Sequence, residues 1–539
     1  MFRLLTFGLP VAICWAACGA DEEPTITVTS EVVRPSLSPV EFCGVNWEHT
    51  GHLHSLRQIW RNGYKEFIDF LQANGLHTFR YPGGGYVERF HPGVGSEKWF
   101  AQFKEKAGGP YQQDDWIEYE EFLQFLKDGD FRAIVQVNTF SAFDPGSGKV
   151  VKLLSEDGEL VDNAVTLATE AAAQAVRIAK QQDAQAYVPY WEIGNEDYGA
   201  YRPEQYARIA FEFIGAMRRV APQAHFIVTT QWSFPSARPS NNRLGWSRQV
   251  LIDLKKLGLG NEGITFVNHE YAWAMEGKEH SAYDEWQRYV GTNPTHRYEQ
   301  PWGKLPCSPY ELLFRVYDET GFDGADLCVS EFRYGWMTNL YNKSLAAGVG
   351  NVNLILHYIK HPRIRGCVIH SLIHGSAVHE QARRPFSHWG FNIIEYTPTP
   401  SIPHNFISTP VSQGYRLVDK FCHGELLKAE SSDGNLNVAA ARDGDTYRLL
   451  VVNRSRETEQ LANTNAITAA IVLPRGVRPT SAVAHVLNSD NLADRSGLLG
   501  TFDRVREIIV HQRQLATPPD ADLLVEFQPH SATLVELTL

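Results

Sequence analysis

The sequence predicts an α/β protein, a (β/α)8 TIM barrel with a C-terminal β-sandwich domain. Eight short apolar runs recur along residues 41–412, and segments with the 3.6-residue spacing of amphipathic helices lie between them. After residue 413 the pattern changes to alternating strands separated by Gly, Asp, Asn and Pro, which is typical of a sandwich. No Gly-x-Gly-x-x-Gly fingerprint follows any of the apolar runs, so a barrel is favoured over an open doubly wound sheet.

Residues 1–20 have the pattern of a secretory signal peptide, with Arg3 before an apolar stretch and small residues near Cys18. This pattern predicts a secreted, periplasmic or cell-surface protein. A cysteine at such a point is also typical of bacterial lipoproteins, so Cys18 is a candidate lipid anchor. The β-branched residues within 24–40 predict a strand that lies outside the barrel and joins the sandwich.

The predicted barrel strands are short apolar runs, several of which end at polar residues. They are Phe42–Trp47, His77–Tyr81, Ala133–Asn138, Val188–Ile193, His225–Thr230, Ile264–Asn268, Asp326–Ser330 and Gly366–Leu372. Helical spacing is predicted over 59–74, 115–128, 163–182, 203–220, 244–257, 309–320 and 338–361. Sandwich strands are predicted at Leu436–Ala441, Tyr447–Asn453, Ala469–Leu473, Ala482–Leu487, Ile508–His511 and Leu523–Phe527, which places the second domain at 413–539.

Composition excludes several functions. The 539 residues carry a formal net charge of −12 and no run of Lys or Arg, so we expect no nucleic-acid partner. No apolar stretch after the leader approaches the ~20 residues of a membrane span. Metal-site spacing is also absent, both among the loop histidines His49, His52 and His54 and among the remaining cysteines, so no metal or cofactor is expected. We expect Cys43, Cys307, Cys328, Cys367 and Cys422 to be buried free thiols, although spacing leaves their pairing open.

Two carboxylates stand at the ends of predicted strands 4 and 7. Glu196 follows the run around Trp191, with Asn195 directly before it, and Glu331 follows Asp326–Ser330. Parallel barrel strands bring their C-terminal ends to one mouth, so these two carboxyl groups should face each other. A pair of carboxyl groups about 5–5.5 Å apart is the arrangement that cleaves glycosidic bonds with retention of configuration.

Long connections follow the second and sixth predicted strands, at 82–114 and 271–308. Both would lie over the mouth of the barrel, where long loops commonly form binding walls or lids. They are rich in aromatic side chains, whose flat apolar faces suit the axial C–H groups of a sugar ring. A carbohydrate is therefore the expected partner.

Three stretches in this order resemble the clan A glycoside hydrolases, and most closely family 51, the α-L-arabinofuranosidases. They are Phe42–Gly51, Phe79–Gly84 and Trp191–Glu196, and the resemblance extends over roughly residues 40–420. It implies that Glu196 is the acid/base and Glu331 the nucleophile. It further implies that Glu48 contacts the sugar, and that His269 and Tyr271 match the His-x-Tyr of strand 6.

Other side chains complete the predicted substrate-binding set. Arg80 ends the second strand and could orient Glu331 by a charge-assisted hydrogen bond. Polar or aromatic groups at the remaining strand ends could bind sugar hydroxyls or stack on the ring. The predicted set is Glu48, Arg80, Asn138, Trp191, Asn195, His269, Tyr271, His370 and Trp389.

The sequence departs from family 51 at the nucleophile, where Ser330-Glu331-Phe332 stands in place of the usual Asp-Glu-Trp. Despite this difference, the expected activity is retaining glycoside hydrolysis, most similar to that of an α-L-arabinofuranosidase. A clan A β-glycanase, β-glycosidase or uronidase is the first alternative, and a catalytically inactive carbohydrate-binding protein is the second. Sugar, linkage, exo or endo action and oligomeric state stay open.

Overall fold

The computed structural model describes residues 23–47, 53–95, 116–232, 243–272, 309–334, 344–372, 394–396, 406–455, 466–490, 492, 494, 496–499, 504–506, 508–518 and 522–539. The predicted leader with Cys18 lies outside these ranges, as do Cys307 and residues 96–114 and 273–308 of the two long connections. Within the described ranges, no helix combines the length and apolarity needed to cross a membrane.

The larger domain is a closed barrel of eight parallel strands. In chain order the first strands of the molecule are β1 (Thr25–Leu37), β2 (Gly44–Asn46), β3 (Thr78–Tyr81), β4 (Arg132–Val137), β5 (Ser141–Asp144), β6 (Lys149–Lys152), β7 (Tyr190–Ile193), β8 (His225–Thr229), β9 (Ile264–Ala272), β10 (Asp326–Tyr334) and β11 (Ile364–Ile369). The barrel order is β2-β3-β4-β7-β8-β9-β10-β11, and β5 and β6 form a separate hairpin. The fold class and all eight barrel strands predicted from the sequence are confirmed.

Side chains alternate between the inside of the barrel and the layer under the helices, as the period of two in a strand requires. One small apolar cluster, including Ile134, Ile227 and Val368, fills the inside of the barrel. The neighbouring strand residues Val135, Val228 and Ile369 belong instead to the large core that packs against the helices. Polar side chains continue the inner positions towards the mouth, where the candidate site lies.

Helices surround the barrel. They are α1 (Pro39–Phe42), α2 (Leu53–Asn62), α3 (Tyr64–Ala73), α4 (Tyr119–Asp128), α5 (Asp162–Gln181), α6 (Pro203–Val220), α7 (Arg243–Lys256), α8 (Pro309–Glu319), α9 (Leu345–Lys360) and α10 (Pro410–Phe421). The predicted helix 59–74 is in fact two helices, because Gly63 separates α2 from α3. Helix α10 was not predicted, although Pro410 at its first position and its buried face of Val411, Tyr415 and Val418 are ordinary helix signals.

The remaining strands are β12 (Ile394–Tyr396), β13 (Phe406–Ser408), β14 (Gly424–Ser431), β15 (Leu436–Asp443), β16 (Thr446–Asn453), β17 (Ile467–Val472), β18 (Ser481–Leu487), β19 (Gly497–Leu499), β20 (Arg504–Arg506), β21 (His511–Leu515), β22 (Leu523–Phe527) and β23 (Ala532–Thr538). Eight of them form a nine-stranded sheet together with β1, in the order β21-β18-β23-β16-β15-β14-β1-β17-β22. Residues from both halves of this sheet, such as Val28 and Leu449, share one apolar core. This is the β-sandwich of the prediction, with the strand predicted at Ile508–His511 beginning later, at His511.

Strand β1 belongs to the sandwich although it precedes every barrel strand in the chain. It pairs antiparallel with β14 and parallel with β17. Its buried Arg34 donates hydrogen bonds to the carbonyl oxygens of His361 (2.8 Å) and Ile364 (2.9 Å), next to the start of β11. The predicted domain limit at residues 412 and 413 falls within α10, and the domain limits stay a prediction.

The four described cysteines are buried free thiols. Burial raises the pKa of each thiol above its usual value, so none is poised to react at neutral pH. They are Cys43, Cys328, Cys367 and Cys422.

Candidate active site

The mouth of the barrel brings Glu196 and Glu331 together. Glu196 comes three residues after β7, whereas Glu331 lies within β10, which extends further than predicted. The register between β10 and β9 shifts between Cys328 and Glu331. Because consecutive strand residues normally point to opposite faces, this irregularity explains how both Ser330 and Glu331 contact the same polar cluster.

Glu331 is held by three cationic or potentially cationic groups. Its Oε2 accepts a hydrogen bond from Arg80 Nη1 (3.1 Å), and its Oε1 lies 2.9 Å from His370 Nδ1. Only 8% of its side chain is exposed. Burial raises the pKa of the Glu331 carboxyl, but the charges of His269, His370 and Arg80 outweigh it and hold that pKa well below the usual range. Glu331 is therefore ionised at neutral pH.

Arg80 is the centre of the polar cluster and is completely buried. Each of its five N–H groups has an acceptor. Nε and Nη2 donate to the two oxygens of Glu192 (2.6 and 2.9 Å), and Nη2 also donates to Asn195 Oδ1 (2.8 Å). Nη1 donates to Asn46 Oδ1 (3.0 Å) and to Glu331. A planar guanidinium in such a cage has a single orientation, which fixes the position of the Glu331 carboxylate.

Glu196 has a different environment. It adopts a left-handed backbone conformation, with φ of 51°, and 44% of its side chain is exposed. Burial and the neighbouring Glu331 raise the pKa of its carboxyl, but the hydrogen bond and the charge of His269 give a net lowering. Since the pKa of Glu331 is lowered further, a single proton shared by the two carboxyl groups resides on Glu196.

His269 connects the two carboxylates. Its Nδ1 lies 3.1 Å from Glu196 Oε1 and 3.5 Å from Glu331 Oε2. Gln231 holds the backbone on both sides, because its Oε1 accepts from His269 N and its Nε2 donates to His269 O (both 3.1 Å). Glu196 Oε1 and Glu331 Oε2 can therefore be no farther apart than the sum of their distances to His269 Nδ1.

The turn that carries Glu196 is anchored by the next residue, Asp197. Its buried carboxyl accepts hydrogen bonds from Thr139 Oγ1 (2.5 Å) and Thr229 Oγ1 (3.0 Å), which follow β4 and end β8. Burial raises the pKa of Asp197 to about 7, against the lowering effect of the two threonines. Gly194 makes the turn possible, since its φ is 83° and a Cβ there would lie 2.2 Å from Asp197 Oδ2.

Of the predicted substrate-binding residues, Arg80, Asn195, His269 and His370 lie at the mouth with the two glutamates. Trp191 is buried in the core between the barrel and the helices. Asn138 caps a turn, because its Oδ1 accepts from Phe140 N (2.8 Å) and Ser141 N (3.1 Å). The predicted role of Asn138 and Trp191 in sugar binding stays a prediction. Glu48 and Trp389 lie outside the described residues, as does the side chain of Tyr271.

Sequence reasoning missed four members of the cluster. They are Asn46, Glu192, Asp197 and Ser330. Glu192 carried a recognisable signal, because a carboxylate inside an otherwise apolar strand needs a buried partner. Asn46 and Ser330 had no such signal, since small polar residues at strand ends are common. Among the described residues, no group of three or more His, Cys, Asp or Glu side chains is arranged to bind a metal.

No family profile and no curated protein matches the sequence of the chain. Solved structures do match. An α-L-arabinofuranosidase from Thermotoga maritima, in complex with arabinose, is 16% identical with a TM-score of 0.63, covering 96% of this chain and 100% of that one. A family 51 enzyme from Bifidobacterium longum has a TM-score of 0.66 at 14% identity over 96% and 99%.

The fold is that of the family 51 α-L-arabinofuranosidases. The same architecture extends to a family 44 xyloglucanase from Paenibacillus polymyxa, at a TM-score of 0.58 and 12% identity over 96% of this chain and 100% of that one. The likeness to family 51 includes the sandwich as well as the barrel, because almost the whole of both chains is covered.

Proposed function

We propose that this protein is a retaining glycoside hydrolase in which Glu331 is the nucleophile and Glu196 the acid/base. One observation carries the proposal. Two carboxylates of different exposure, on β10 and after β7, share the Nδ1 atom of His269 at 3.1 and 3.5 Å. That geometry brings one oxygen of each carboxyl group close to the other, which supports the about 5–5.5 Å separation of retaining enzymes over the about 6.5–9.5 Å of inverting ones.

The first step divides the work between the two glutamates. Glu331, kept ionised by Arg80 and His370, attacks the anomeric carbon and forms a glycosyl ester. Glu196 gives its proton to the departing oxygen as the glycosidic bond breaks. Its greater exposure suits this role, because the acid must reach a leaving group on the solvent side of the sugar.

The second step reverses the proton transfer. Once Glu331 is esterified it no longer carries a negative charge, so the pKa of Glu196 falls and its carboxylate can take a proton from water. The water oxygen attacks the anomeric carbon and releases Glu331. The amide NH2 group of Asn195 is available to a sugar hydroxyl, because its Oδ1 already accepts from Arg80.

For specificity we propose an α-L-arabinofuranosidase-like activity on oligosaccharides or polysaccharides. The support is the shared fold of barrel and sandwich together with the three sequence stretches around Arg80 and Glu196. A β-glycanase, β-glycosidase or uronidase is the alternative, since a xyloglucanase has a similar fold. The leader-like residues 1–20 lead us to propose secretion, with Cys18 as a candidate lipid anchor.

A panel of chromogenic aryl glycosides tests the proposal. It should contain α-L-arabinofuranoside, β-D-xyloside, β-D-glucoside and β-D-glucuronide, next to arabinan, xylan and xyloglucan as polymers. We expect turnover of the arabinofuranoside above all others. Turnover of a pyranoside instead would support glycoside hydrolysis but contradict the proposed arabinofuranoside specificity.

Proton NMR of the first-formed product decides the stereochemical part. We expect the anomer of the substrate to appear first and the other to grow in by mutarotation. An inverted first product would refute the mechanism. Absence of turnover for every glycoside and polymer, with binding retained, would support the catalytically inactive carbohydrate-binding protein.

A further inference from the structure

A third carboxylate lies beneath the two catalytic ones. Glu192, in the middle of β7, is completely buried and receives both Nε and Nη2 of Arg80. Its Oε1 also accepts a hydrogen bond from Ser330 Oγ at 3.0 Å. Ser330 Oγ in turn lies 3.3 Å from His269 Nε2. Glu192 is thus connected to Glu331 through Arg80, and to Glu196 through Ser330 and His269.

The number of hydrogens on each group determines which atom donates in this series of hydrogen bonds. Both oxygens of Glu192 accept from Arg80, and the single proton of the Ser330 hydroxyl is donated to Glu192 Oε1. The Ser330 oxygen then has only lone pairs for His269, and Nε2 must donate to it. Arg80 Nη2 also lies 3.5 Å from His269 Nε2, but its two hydrogens have closer acceptors in Glu192 (2.9 Å) and Asn195 (2.8 Å).

A proton fixed on Nε2 determines what His269 presents to Glu196. In the neutral ring Nδ1 is then an acceptor, and it can receive the proton of the Glu196 carboxyl at 3.1 Å. In the charged ring Nδ1 donates to the Glu196 carboxylate. Either way one proton lies between Nδ1 and Glu196, where the leaving group needs it.

We propose that Glu192 is a positioning residue that sets the proton arrangement of His269 through Ser330, and so keeps a transferable proton on the Glu196–His269 pair. The proposal rests on the proposed function, because it assigns Glu196 the acid role. Glu192 itself touches no substrate. Without its carboxylate, Ser330 can donate to Nε2, and the neutral ring then carries its proton on Nδ1.

With its proton on Nδ1, the neutral ring of His269 would favour an ionised Glu196, because Nδ1 would then be a donor to the carboxylate instead of an acceptor. The other charged groups around His269 are the same in wild type and in both variants. Arg80 from β3 and His370 after β11 favour an ionised Glu196, and Glu331 from β10 opposes it, so these groups do not account for a difference between the proteins. Cys328 and Tyr206 also lie near Glu192, but burial raises the pKa of each, so neither ionises near neutral pH.

The test compares Glu192→Gln with Ser330→Ala in the full chain. Glu192→Gln offers Ser330 an amide donor, and Ser330→Ala removes the connection without changing any charge. We expect the alkaline limb of the kcat/KM profile to move to lower pH by about 1 unit in Glu192→Gln and by less in Ser330→Ala. Both variants should lose more activity on glycosides with poor leaving groups than on dinitrophenyl glycosides.

Ser412→Ala is the matched control for the hydroxyl. Ser412 is also completely buried, and its Oγ donates to Thr409 O (2.9 Å) in α10, remote from the site. Its pH profile should coincide with that of wild type. If Glu192→Gln and Ser330→Ala lower the rate at every pH but leave both limbs in place, Glu192 merely supports the fold and the proposal is overturned.

A second measurement does not depend on activity. Nitrogen NMR of the chain with labelled histidine rings reports which ring nitrogen carries the proton, and His269→Gln identifies the His269 signals among the 20 histidines. At a pH at which the His269 ring is neutral, we expect its proton on Nε2 in wild type and on Nδ1 in Glu192→Gln. The same tautomer in both would overturn the proposal even if the protein proved to be an active hydrolase. The expected tautomers in a protein without turnover would instead refute the proposed function and leave the Glu192 relay intact.

Discussion

Arg80 and Glu331 form an ion pair of 3.1 Å from which solvent is nearly excluded, with 0% and 8% of the two side chains exposed. Such a pair is strong only if every other polar atom of the guanidinium is also matched. The cage of Asn46, Glu192 and Asn195 provides that match. Glu331 is thus held ionised by a guanidinium whose own position is fixed.

Glu331 should be the residue that becomes covalently bound to the sugar. A fluoro-sugar inactivator of the preferred configuration should add its mass to the peptide containing Glu331. Glu331→Ala should abolish turnover of every substrate, because no other carboxylate can take its place on Arg80 and His370. Label on Glu192 or Glu270 would contradict the assignment, and Glu270→Gln is the matched control for a buried glutamate on the neighbouring strand β9.

Loss of the acid should depend on the leaving group. In Glu196→Ala, hydrolysis of natural glycans should fall about 10²–10⁴-fold more than hydrolysis of a dinitrophenyl glycoside, whose leaving group barely needs a proton. Deglycosylation also lacks its base, so azide should restore turnover and give a glycosyl azide of retained configuration. Equal losses on both substrates, with no effect of azide, would remove Glu196 from the acid/base role.

His370 should set the acidic limb of the pH profile. Its charge helps to lower the pKa of Glu331, so without it the carboxylate becomes protonated at higher pH. We expect the acidic limb of kcat/KM to move up by about 1 unit in His370→Ala. His370→Asn keeps a donor where Nδ1 stands but removes the charge, and it should show a smaller upward shift. An unchanged limb in both variants would show that His370 does not act on Glu331.

The turn that presents Glu196 should tolerate no side chain at position 194. Gly194→Ala adds a Cβ about 2.2 Å from Asp197 Oδ2 at a φ of 83°, so we expect a loss of about 2–4 kcal/mol in the free energy of unfolding. Catalytic activity should fall further, because Glu196 moves with the turn. Gly199→Ala is the matched control two residues beyond Asp197, where a Cβ meets nothing within 4 Å. Equal stability of the two variants in urea titrations would contradict this explanation.

Asp197 should make the protein less stable as pH rises. Its folded pKa of about 7 exceeds the ordinary value of 3.8, so its contribution to stability is greatest below pH 4 and is lost as pH rises through about 7. Over that interval wild type should lose about 4 kcal/mol relative to Asp197→Asn, which cannot ionise. Urea midpoints of both proteins between pH 4 and 8 test this, and parallel curves would contradict it.

The sequence was sufficient for the architecture because apolar periodicity reports burial directly. It identified every barrel strand and placed Glu196, Glu331, Arg80 and His269 at one mouth. It misplaced the end of β10, because a register irregularity between Cys328 and Glu331 depends on the neighbouring strand and has no local signal. Trp191 lies next to the inward Glu192 and therefore packs towards the helices, and its predicted role in sugar binding stays a prediction.

The hydrogen bonds that connect the residues of the site could not be predicted from the sequence for the same reason. Glu192 and Ser330 are 138 residues apart, and Asp197 and Thr229 are 32 apart. Hydrogen bonds between strands depend on barrel closure and register, which a linear pattern does not specify. Helix α10 was not predicted for another reason. The alternating strand pattern that follows it outweighed the helix signal of Pro410 at its first position.

The pairing of β1 with β14 has a consequence for how the molecule assembles. Thr29 and Lys428, which are hydrogen-bonded across these strands, are 399 positions apart in the chain, so β1 must wait for a much later part of the polypeptide before it can pair. The entropic cost of closing so long a loop grows only as its logarithm, so the delay is kinetic and barely affects final stability. During translation the barrel can form while the edges of β14 and β17 have no neighbour, which makes the interval before β1 docks the time of greatest aggregation risk.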